Sequence, residues 1–523
     1  MTMNFFKTTL FTKSIWHLIC LILLGSGLIS IYYRQIMNFD TLFNSDSVYL
    51  SVLFDDLAYY QGKLSHWFLT PAPYFFPDMP IFFFSSLLTP SIYHRFFIAA
   101  FLQLASTYFL AHQLRQVFST RLCTSVGLSI IFILACIVWI PQDQSPYIFG
   151  FLTTYHFGTL MLGLGFLTLF FKSLLQPKSK PIFISLSIIA GVGVASDLIF
   201  VIQILLPLVA TIFIVRRYAP TLPNMKQQRN YVLAGMIIGL LIKSLMTKDH
   251  AHRYLLKRHK ELFQHFFYLL DILQSWIQAH PLVSATVFLF YICIAWHWYQ
   301  LYRNRQDNQN HRFLLTTFVL LSPPITIIIV FINGLISLPD WFNLRYFQNL
   351  FWFPIFFCWL LLDSLPTIKK PIALIILVSF LIGTIFLIYP KTPLKSQYQP
   401  PLVSCLLNGL QKYRQTTGDS VTVGISHYWH AKLTLAFARD QLMLVQVNGD
   451  TLKSLRWIMN TDWYQPRYDF ALGYIDSDGK SQLLNALRKL TLQPKAQFTC
   501  PTGADRIGRQ VQVWIYGHQK LAL

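Results

Sequence analysis

Residues 14–33, SIWHLICLILLGSGLISIYY, decide the class of fold because they form a long apolar run that lacks Asp, Glu, Lys and Arg. A helix needs about 20 apolar residues to cross a bilayer. Lys7 and Lys13 precede the run, and no small-residue cleavage site follows it. We therefore interpret this run as an uncleaved signal anchor whose N-terminus lies in the cytoplasm.

The composition of the whole chain extends this interpretation. The chain has 523 residues, of which 54% are hydrophobic and 12% charged. An ordinary globular protein has about 25% charged residues. This depletion excludes a soluble single-domain enzyme, a disordered chain and a fibrous protein, and it indicates a multi-span membrane protein. The net charge of +21 does not indicate nucleic-acid binding, because most cations lie in short loops between apolar runs.

The remaining apolar runs predict about 11 transmembrane helices. Residues 181–215 are long for one span and short for two, and we expect a turn at Asp197 to divide them. Residues 81–88 are too short to cross and predict an interfacial helix. With eleven spans, the inner loops hold 16 cations and a single acid, Asp307, in agreement with the positive-inside rule, and only the outer loop 248–280 breaks this pattern. The other predicted spans are 96–114, 122–140, 148–171, 230–247, 281–302, 313–336, 349–364 and 371–390.

Two domains follow from this topology. Residues 1–390 form a mostly α transmembrane domain with a first outer loop (34–79) and an unusually basic outer loop (248–280). Residues 391–523 are predicted to form a small extracytoplasmic α/β domain. Its predicted strands (421–425, 441–447, 468–475 and 510–517) alternate with helices (429–438 and 481–490), which indicates a largely parallel sheet. Two cysteines in one outward domain make a Cys405–Cys500 disulfide plausible, with two unpaired thiols as the alternative.

Two aspartates of the first outer loop are candidates for chemistry. Asp46 and Asp78 lie near the two ends of the loop, where they either converge above the membrane or simply cap helices and solvate the loop. The basic loop offers cations for a phosphate, and its alternative role is to bind anionic lipid headgroups. These loop cations are Arg253, Lys257 and Arg258.

The order of motifs along the chain resembles the GT-C glycosyltransferases, especially the protein mannosyltransferases and aminoarabinose transferases. Each motif is short, and the order carries the resemblance. Ser47 stands where many relatives have a second acid. The matching motifs are Asp46 with Tyr49, Gly62-Lys63-Leu64, Pro71 to Pro80 with Tyr74, the helix 81–88, Arg95, Ser196-Asp197, Arg345-Tyr346 and the outward C-terminal domain.

The resemblance implies an inverting transfer of a sugar from a polyprenyl-phosphate or polyprenyl-pyrophosphate donor to an envelope glycan, lipid or protein on the outer face of the bacterial inner membrane. Asp46 is the expected base and Asp78 the second choice. Arg345, Tyr346 and the loop cations are expected to hold the donor phosphate. Tyr49, Asp197 and His156 are candidates for supporting roles; Asp197 alternatively caps its half-helix, and His156 is alternatively a satisfied polar residue. No cofactor and no histidine metal site is predicted, and a divalent metal stays open.

Two other functions fit the same sequence. A transporter or flippase of a lipid-linked glycan would grip the phosphate with the same cations and need no carboxylate base. A scaffold would use its outer domain to recruit partners. All three functions place the chain in a lipid bilayer.

Overall fold

A computed structural model describes residues 2–176, 179–218, 225–246, 262–304, 309–336, 340–364, 393–475, 481–490, 492–501 and 510–522. The chain divides into two compact units. Unit 1 comprises Met1–Met37, Pro71–Ile81 and Phe97–Leu394. Unit 2 comprises Asn38–Thr70, Phe82–Phe96 and Lys395–Leu523. The sequence did not predict this grouping of most of the first outer loop with the C-terminal region.

The helices and strands have the following bounds. The α-helices of the described residues are α1 (Thr2–Tyr33), α2 (Phe39–Leu42), α3 (Tyr49–Tyr59), α4 (Asp78–Leu88), α5 (Ile92–Phe118), α6 (Leu122–Leu134), α7 (Phe157–Leu175), α8 (Lys180–Ser196), α9 (Leu206–Tyr218), α10 (Met225–Met246), α11 (Leu262–Ala279), α12 (Pro281–Arg303), α13 (Asn310–Ile332), α14 (Gln348–Phe356), α15 (Cys358–Ser364), α16 (Pro401–Thr417), α17 (Tyr428–Ala438) and α18 (Gln482–Arg488). The strands are β1 (Trp67–Phe68), β2 (Val423–Ser426), β3 (Met443–Gln446), β4 (Met459–Asn460), β5 (Arg467–Tyr468), β6 (Phe470–Ile475), β7 (Ala496–Pro501), β8 (Gln510–Ile515) and β9 (Leu521–Ala522).

The described residues support a mostly α membrane protein. Seven of their helices are long and apolar enough to cross a bilayer. Three shorter apolar helices, Asp78–Leu88, Thr124–Trp139 and Lys180–Ser196, accompany them. The predicted span 349–364 is divided into α14 and α15, and the predicted span 371–390 lies outside the described residues. The seven long helices are Ile15–Tyr33, Ile92–Phe118, Phe157–Leu175, Val201–Tyr218, Met225–Met246, Pro281–Arg303 and Asn310–Ile332.

The predicted break at Asp197 is confirmed. Helix α8 ends at Ser196, and Asp197 has an extended backbone with φ −158° and ψ 121°. The Asp197 carboxylate accepts a hydrogen bond from the Ile199 backbone N–H at 3.0 Å, and thereby caps the turn that follows. A π-helical segment, Val201–Leu205, leads into α9. Asp197 is therefore a non-helical residue between two helical segments.

Helices α8 and α10 pack through glycines. A Cβ atom added to Gly235 would lie 2.1 Å from the Ser187 carbonyl oxygen, and one added to Gly239 would lie 2.3 Å from the Gly191 carbonyl oxygen. Both distances are far below van der Waals contact, so the backbones approach closely only because these side chains are absent. Small residues allow the same close approach between helices in membrane proteins generally.

Unit 2 is built on a five-stranded sheet of order β3-β2-β6-β8-β7. Strands β3, β2 and β6 run parallel, whereas β8 is antiparallel to both β6 and β7. The expectation of a largely parallel sheet is therefore wrong for half of the strand pairs, because only residues 502–509 separate β7 from β8, and a parallel crossover needs about a dozen residues or more. Helix α16 packs on this sheet, and the Cys405–Cys500 disulfide joins α16 to β7.

The first outer loop contributes to unit 2 through backbone and side-chain contacts. Strand β1 pairs antiparallel with β4, so that Trp67 faces Asn460. The carboxylate of Asp56, which is 1% exposed, accepts hydrogen bonds from four donors. These donors are Trp67 Nε1 at 2.7 Å, Asn460 Nδ2 at 2.8 Å, Trp463 Nε1 at 3.0 Å and an Arg439 Nη at 2.5 Å.

Candidate functional site

A cluster of buried polar side chains lies in unit 1 around the break at Asp197. His156 precedes α7 and has a left-handed backbone with φ 67°. Such a conformation is uncommon for a residue with a side chain and is often found at functional sites. Its Nδ1 lies 2.5 Å from Asp197 Oδ2, and both side chains are buried. Asp197 therefore holds the imidazole with one oxygen while the other caps the following turn.

Asp78 lies against the N-terminus of α7. A Cβ atom on Gly158 would lie 2.2 Å from Asp78 Oδ2, so the carboxylate occupies space that only glycine leaves open. The Gly158 backbone N–H bonds this carboxylate, whereas Asp78 Oδ1 is buried and has no hydrogen-bond partner within the described ranges. Burial, together with the nearby charge of Asp197, raises the pKa of the Asp78 carboxyl well above its usual range.

Tyr346 and Arg345 continue the cluster on the other side of the histidine. The rings of His156 and Tyr346 are 5.2 Å apart. Arg345 donates to the Tyr346 hydroxyl at 3.0 Å, and its guanidinium lies 5.0 Å from the centre of the Tyr346 ring and 5.5 Å from that of Tyr155. These contacts place a cation, an imidazole and two carboxyls in one connected group.

A hydrogen-bonded network fixes the segment that carries Tyr346. Gln203, in the π-helical segment, donates to the Tyr346 carbonyl at 3.0 Å and accepts from Thr159 at 3.3 Å. Ser322 of α13 donates to the Gln203 carbonyl at 2.7 Å. Gln348 donates to the carbonyl of Tyr155. Because π-helical segments often occur at functional sites, Gln203 is a further candidate site residue, which the sequence alone did not mark.

Lys243 brings a second cation to the same side of unit 1. Its ammonium donates to the Pro71 carbonyl at 2.6 Å, close to the start of the segment that carries Tyr74 and Asp78. The Tyr74 ring lies 5.7 Å from the His156 ring, and the Tyr74 backbone N–H donates to the Ser196 carbonyl at 3.3 Å. The proline-rich segment is thus fastened to the break in the helix pair.

Asp46 and Tyr49 belong to unit 2. Tyr428 donates its hydroxyl to Asp46 Oδ1 at 2.7 Å, and Ser45 donates to the Trp429 carbonyl at 2.5 Å. The hydrogen-bond partner of the Asp46 carboxylate is thus the first residue of α17, the helix that follows strand β2. Tyr49 is 1% exposed, and burial raises the pKa of its hydroxyl.

The structure brings five of the predicted site residues together in unit 1, whereas Asp46 and Tyr49 belong to unit 2. Asp78, Asp197, His156, Arg345 and Tyr346 form one connected cluster in unit 1. The three cations of the basic loop, Arg253, Lys257 and Arg258, lie outside the described residues. In the part of the chain that the structure describes, no group of three or more His, Cys, Asp or Glu side chains could hold a metal ion.

The chain matches no protein-family model, and no curated protein matches it.

Proposed function

We propose that the protein is a membrane glycosyltransferase that moves a sugar from a polyprenyl-phosphate donor to an envelope acceptor. The single observation that supports this most is the unit 1 cluster, in which the buried Asp78 lies near Asp197, Asp197 bonds His156, and the His156 ring contacts Tyr346, the partner of Arg345. It combines carboxyl groups that can take a proton with a guanidinium suited to a phosphate. The order of motifs along the sequence supports the same function.

The proposed reaction needs few catalytic groups. An acceptor hydroxyl oxygen attacks the anomeric carbon from the face opposite the phosphate, and the bond from that carbon to the phosphate oxygen breaks, which inverts the configuration. The lipid phosphate leaves as an anion, so no general acid is required. A carboxylate takes the proton of the acceptor hydroxyl, and cations stabilise the negative charge on the leaving phosphate.

The described geometry favours Asp78 over Asp46 as the base. A carboxyl whose pKa is raised accepts a proton more readily near neutral pH than an ordinary aspartate does. Asp78 also has a buried oxygen with no hydrogen-bond partner in the described parts of the chain. Asp46 is already hydrogen-bonded to Tyr428, and it remains the candidate that the motif order singles out.

Within this proposal the chain has eleven spans, a cytoplasmic N-terminus and an extracytoplasmic C-terminal region in a bacterial inner membrane. The distribution of loop cations supports this orientation. Alkaline phosphatase, which is active only outside the cytoplasm, would be fused after Leu523. We expect an active fusion, and an inactive one would reverse the orientation.

The function is tested by mass spectrometry of envelope glycans from cells that lack the protein and carry the wild type or one variant. We expect wild type to restore a missing sugar and Asp78→Asn to fail. Asp46→Asn is tested alongside, and Asp271→Asn serves as the matched control because Asp271 is exposed on α11. Immunoblots of the membrane fraction verify that each variant is present.

The other results separate the remaining functions. If Asp46→Asn fails and Asp78→Asn succeeds, the base is Asp46. If both variants restore the sugar while Arg345→Ala does not, a transporter of a lipid-linked glycan replaces the enzyme. An unchanged set of glycans in the cells that lack the protein would contradict both functions.

A further inference from the structure

Unit 2 contains a cavity of about 770 Å³ that has no role in the reaction proposed above. Four segments of this unit form it: the end of α3, residues 90–95 at the start of α5, the extended residues 397–399, and the end of α17. Ligand-binding pockets have volumes of roughly 300–1,000 Å³. The cavity is therefore large enough for an organic ligand bigger than an ion.

Tyrosine rings dominate the apolar part of this cavity. Tyr59 and Tyr60 are 58% and 39% exposed, which is high for large side chains. A tyrosine ring offers a flat apolar face next to a polar hydroxyl, so a ligand with both apolar faces and polar edges covers it well. Tyr398 lies on another wall, where its hydroxyl donates to Asp40 at 2.9 Å.

The two arginines in the cavity are already neutralised by carboxylates. Arg95 lies 2.6 Å from Asp55 and has a side chain that is only 3% exposed. Arg439 lies 2.5 Å from Asp56 and has a side chain that is 10% exposed. A phosphate site needs cations that can reach the anion without losing another partner. The cavity is therefore poorly suited to a phosphate or another strong anion.

The polar groups at the mouth of the cavity include both donors and acceptors. Gln397 and Gln399 contribute exposed carboxamides, and Asp440 contributes an exposed carboxylate that also accepts from the Tyr60 hydroxyl. A carboxamide donates and accepts, and a carboxylate accepts. A sugar hydroxyl likewise both donates and accepts, so several hydroxyls on one ligand would match these groups.

The geometry points to this cavity as a binding site for the uncharged glycan part of the acceptor. A sugar ring has apolar C–H faces that cover tyrosine rings and hydroxyls that bond carboxamides and carboxylates. The inference rests on the proposed glycosyl transfer. It specifies that the acceptor in that reaction is a glycan. It makes unit 2 the part that selects the acceptor.

Binding is measured on the full chain in detergent micelles by saturation-transfer NMR, without any donor lipid. The probes are maltotriose, cellotriose and chitotriose, with tri-galacturonic acid as an anionic counterpart. We expect at least one uncharged trisaccharide to bind with a Kd below about 1 mM. Tyr59→Ala should weaken this binding about tenfold or more, because it removes an exposed ring and little of the buried core. Trp429→Ala is the matched control, since Trp429 is 50% exposed in the same unit and does not line the cavity.

Three results of the binding measurement would each overturn the inference. They are the absence of binding by all three uncharged probes at about 10 mM, equal weakening by Tyr59→Ala and Trp429→Ala, and preferred binding of the anionic probe. If Tyr59→Ala lowers partition of the protein into lipid vesicles while leaving glycan binding unchanged, the tyrosines are interfacial anchors and the inference is also wrong.

The two proposals fail separately. Glycan binding that depends on Tyr59 in a protein without transfer activity would retain the binding site and remove the proposed function. Transfer activity that is unchanged in Tyr59→Ala, in a protein that binds no probe, would retain the function and remove this site.

Discussion

Asp78 combines burial, a neighbouring carboxylate and one oxygen without a hydrogen-bond partner within the described ranges. Burial and the nearby negative charge destabilise the ionised carboxylate, so the pKa of Asp78 is raised. If Asp78 is the base, only its deprotonated form is active, and transfer should rise with pH through this raised pKa. The protonated form dominates at acidic pH and is inactive.

This assignment makes a prediction about Asp197. Because the negative charge of Asp197 helps to raise the pKa of Asp78, Asp197→Asn should lower that pKa. The rising limb of the pH–rate profile should therefore move to lower pH. The profile of kcat/KM against pH is measured for wild type, Asp197→Asn and the exposed control Asp271→Asn. A limb that stays in place or moves to higher pH in Asp197→Asn would contradict the role of Asp78.

Asp56 is the residue on which the packing of the first outer loop in unit 2 depends. Asp56→Ala leaves Arg439, Asn460 and two indole N–H groups without their acceptor. Removing one partner of a buried ion pair costs about 3–5 kcal/mol. We expect the Tm of the detergent-solubilised protein to fall by about 6–20 °C. Asp450→Asn, at an exposed position of the same unit, should change the Tm little, and an equal fall in both variants would refute the explanation.

At the scale of elements, the helix pair α8–α10 depends on backbone contact. Gly235→Ala would place a methyl group 2.1 Å from the Ser187 carbonyl oxygen, so the helices must separate. We expect a lower Tm despite the higher helix propensity of alanine, which alone is worth about 1 kcal/mol. Gly165→Ala in α7 is the matched control, because its added carbon would meet neighbours only at 3.7 Å or beyond. A Tm that falls equally in both variants would contradict this account.

The sequence predicted the elements whose signals are local. The Gly-rich run before Ser196-Asp197 indicated the break, and the strong β-formers at 421–425, 441–447, 468–475 and 510–517 predicted strands β2, β3, β6 and β8. Helix α16 and strand β7 were missed. In β7, exposed residues alternate with half-buried ones and with the buried Cys500. The strand has few apolar residues, so its sequence pattern is weak. The direction of a strand depends on the connection that leads into it. The antiparallel direction of β8 was therefore also not predicted.

Contacts between distant segments could not be predicted from one sequence. Trp67–Phe68 and Met459–Asn460 are strands of two residues, and no periodicity can mark strands so short. The cluster of Asp78, His156 and Arg345 was only partly foreseen, because the sequence nominated these residues as candidates but not their contacts. Gly158 and Gln203 carry no signal until the position of Asp78 and Tyr346 is known.

At the scale of the whole molecule, the Cys405–Cys500 disulfide closes a loop with a sequence separation of 95 residues within unit 2. A cross-link of this length stabilises a fold by about 2–5 kcal/mol, mainly by restricting the unfolded chain. Dithiothreitol should therefore lower the Tm of wild type. The double variant Cys405→Ala/Cys500→Ala should start lower and respond little to the reductant. A similar response in both proteins would show that the reductant acts elsewhere.

Unit 2 is assembled from segments that are far apart in the sequence and are therefore synthesised at different times. Residues 38–70 and 82–96 emerge about 300 residues before the piece that begins at Lys395. At about 5–20 residues per second, the early pieces wait for roughly 15–60 s before their partner strands exist. During that interval the acceptor strand for Trp67 and the arginine partner of Asp56 have not been made. The early pieces can therefore complete unit 2 only after most of the chain has been translated.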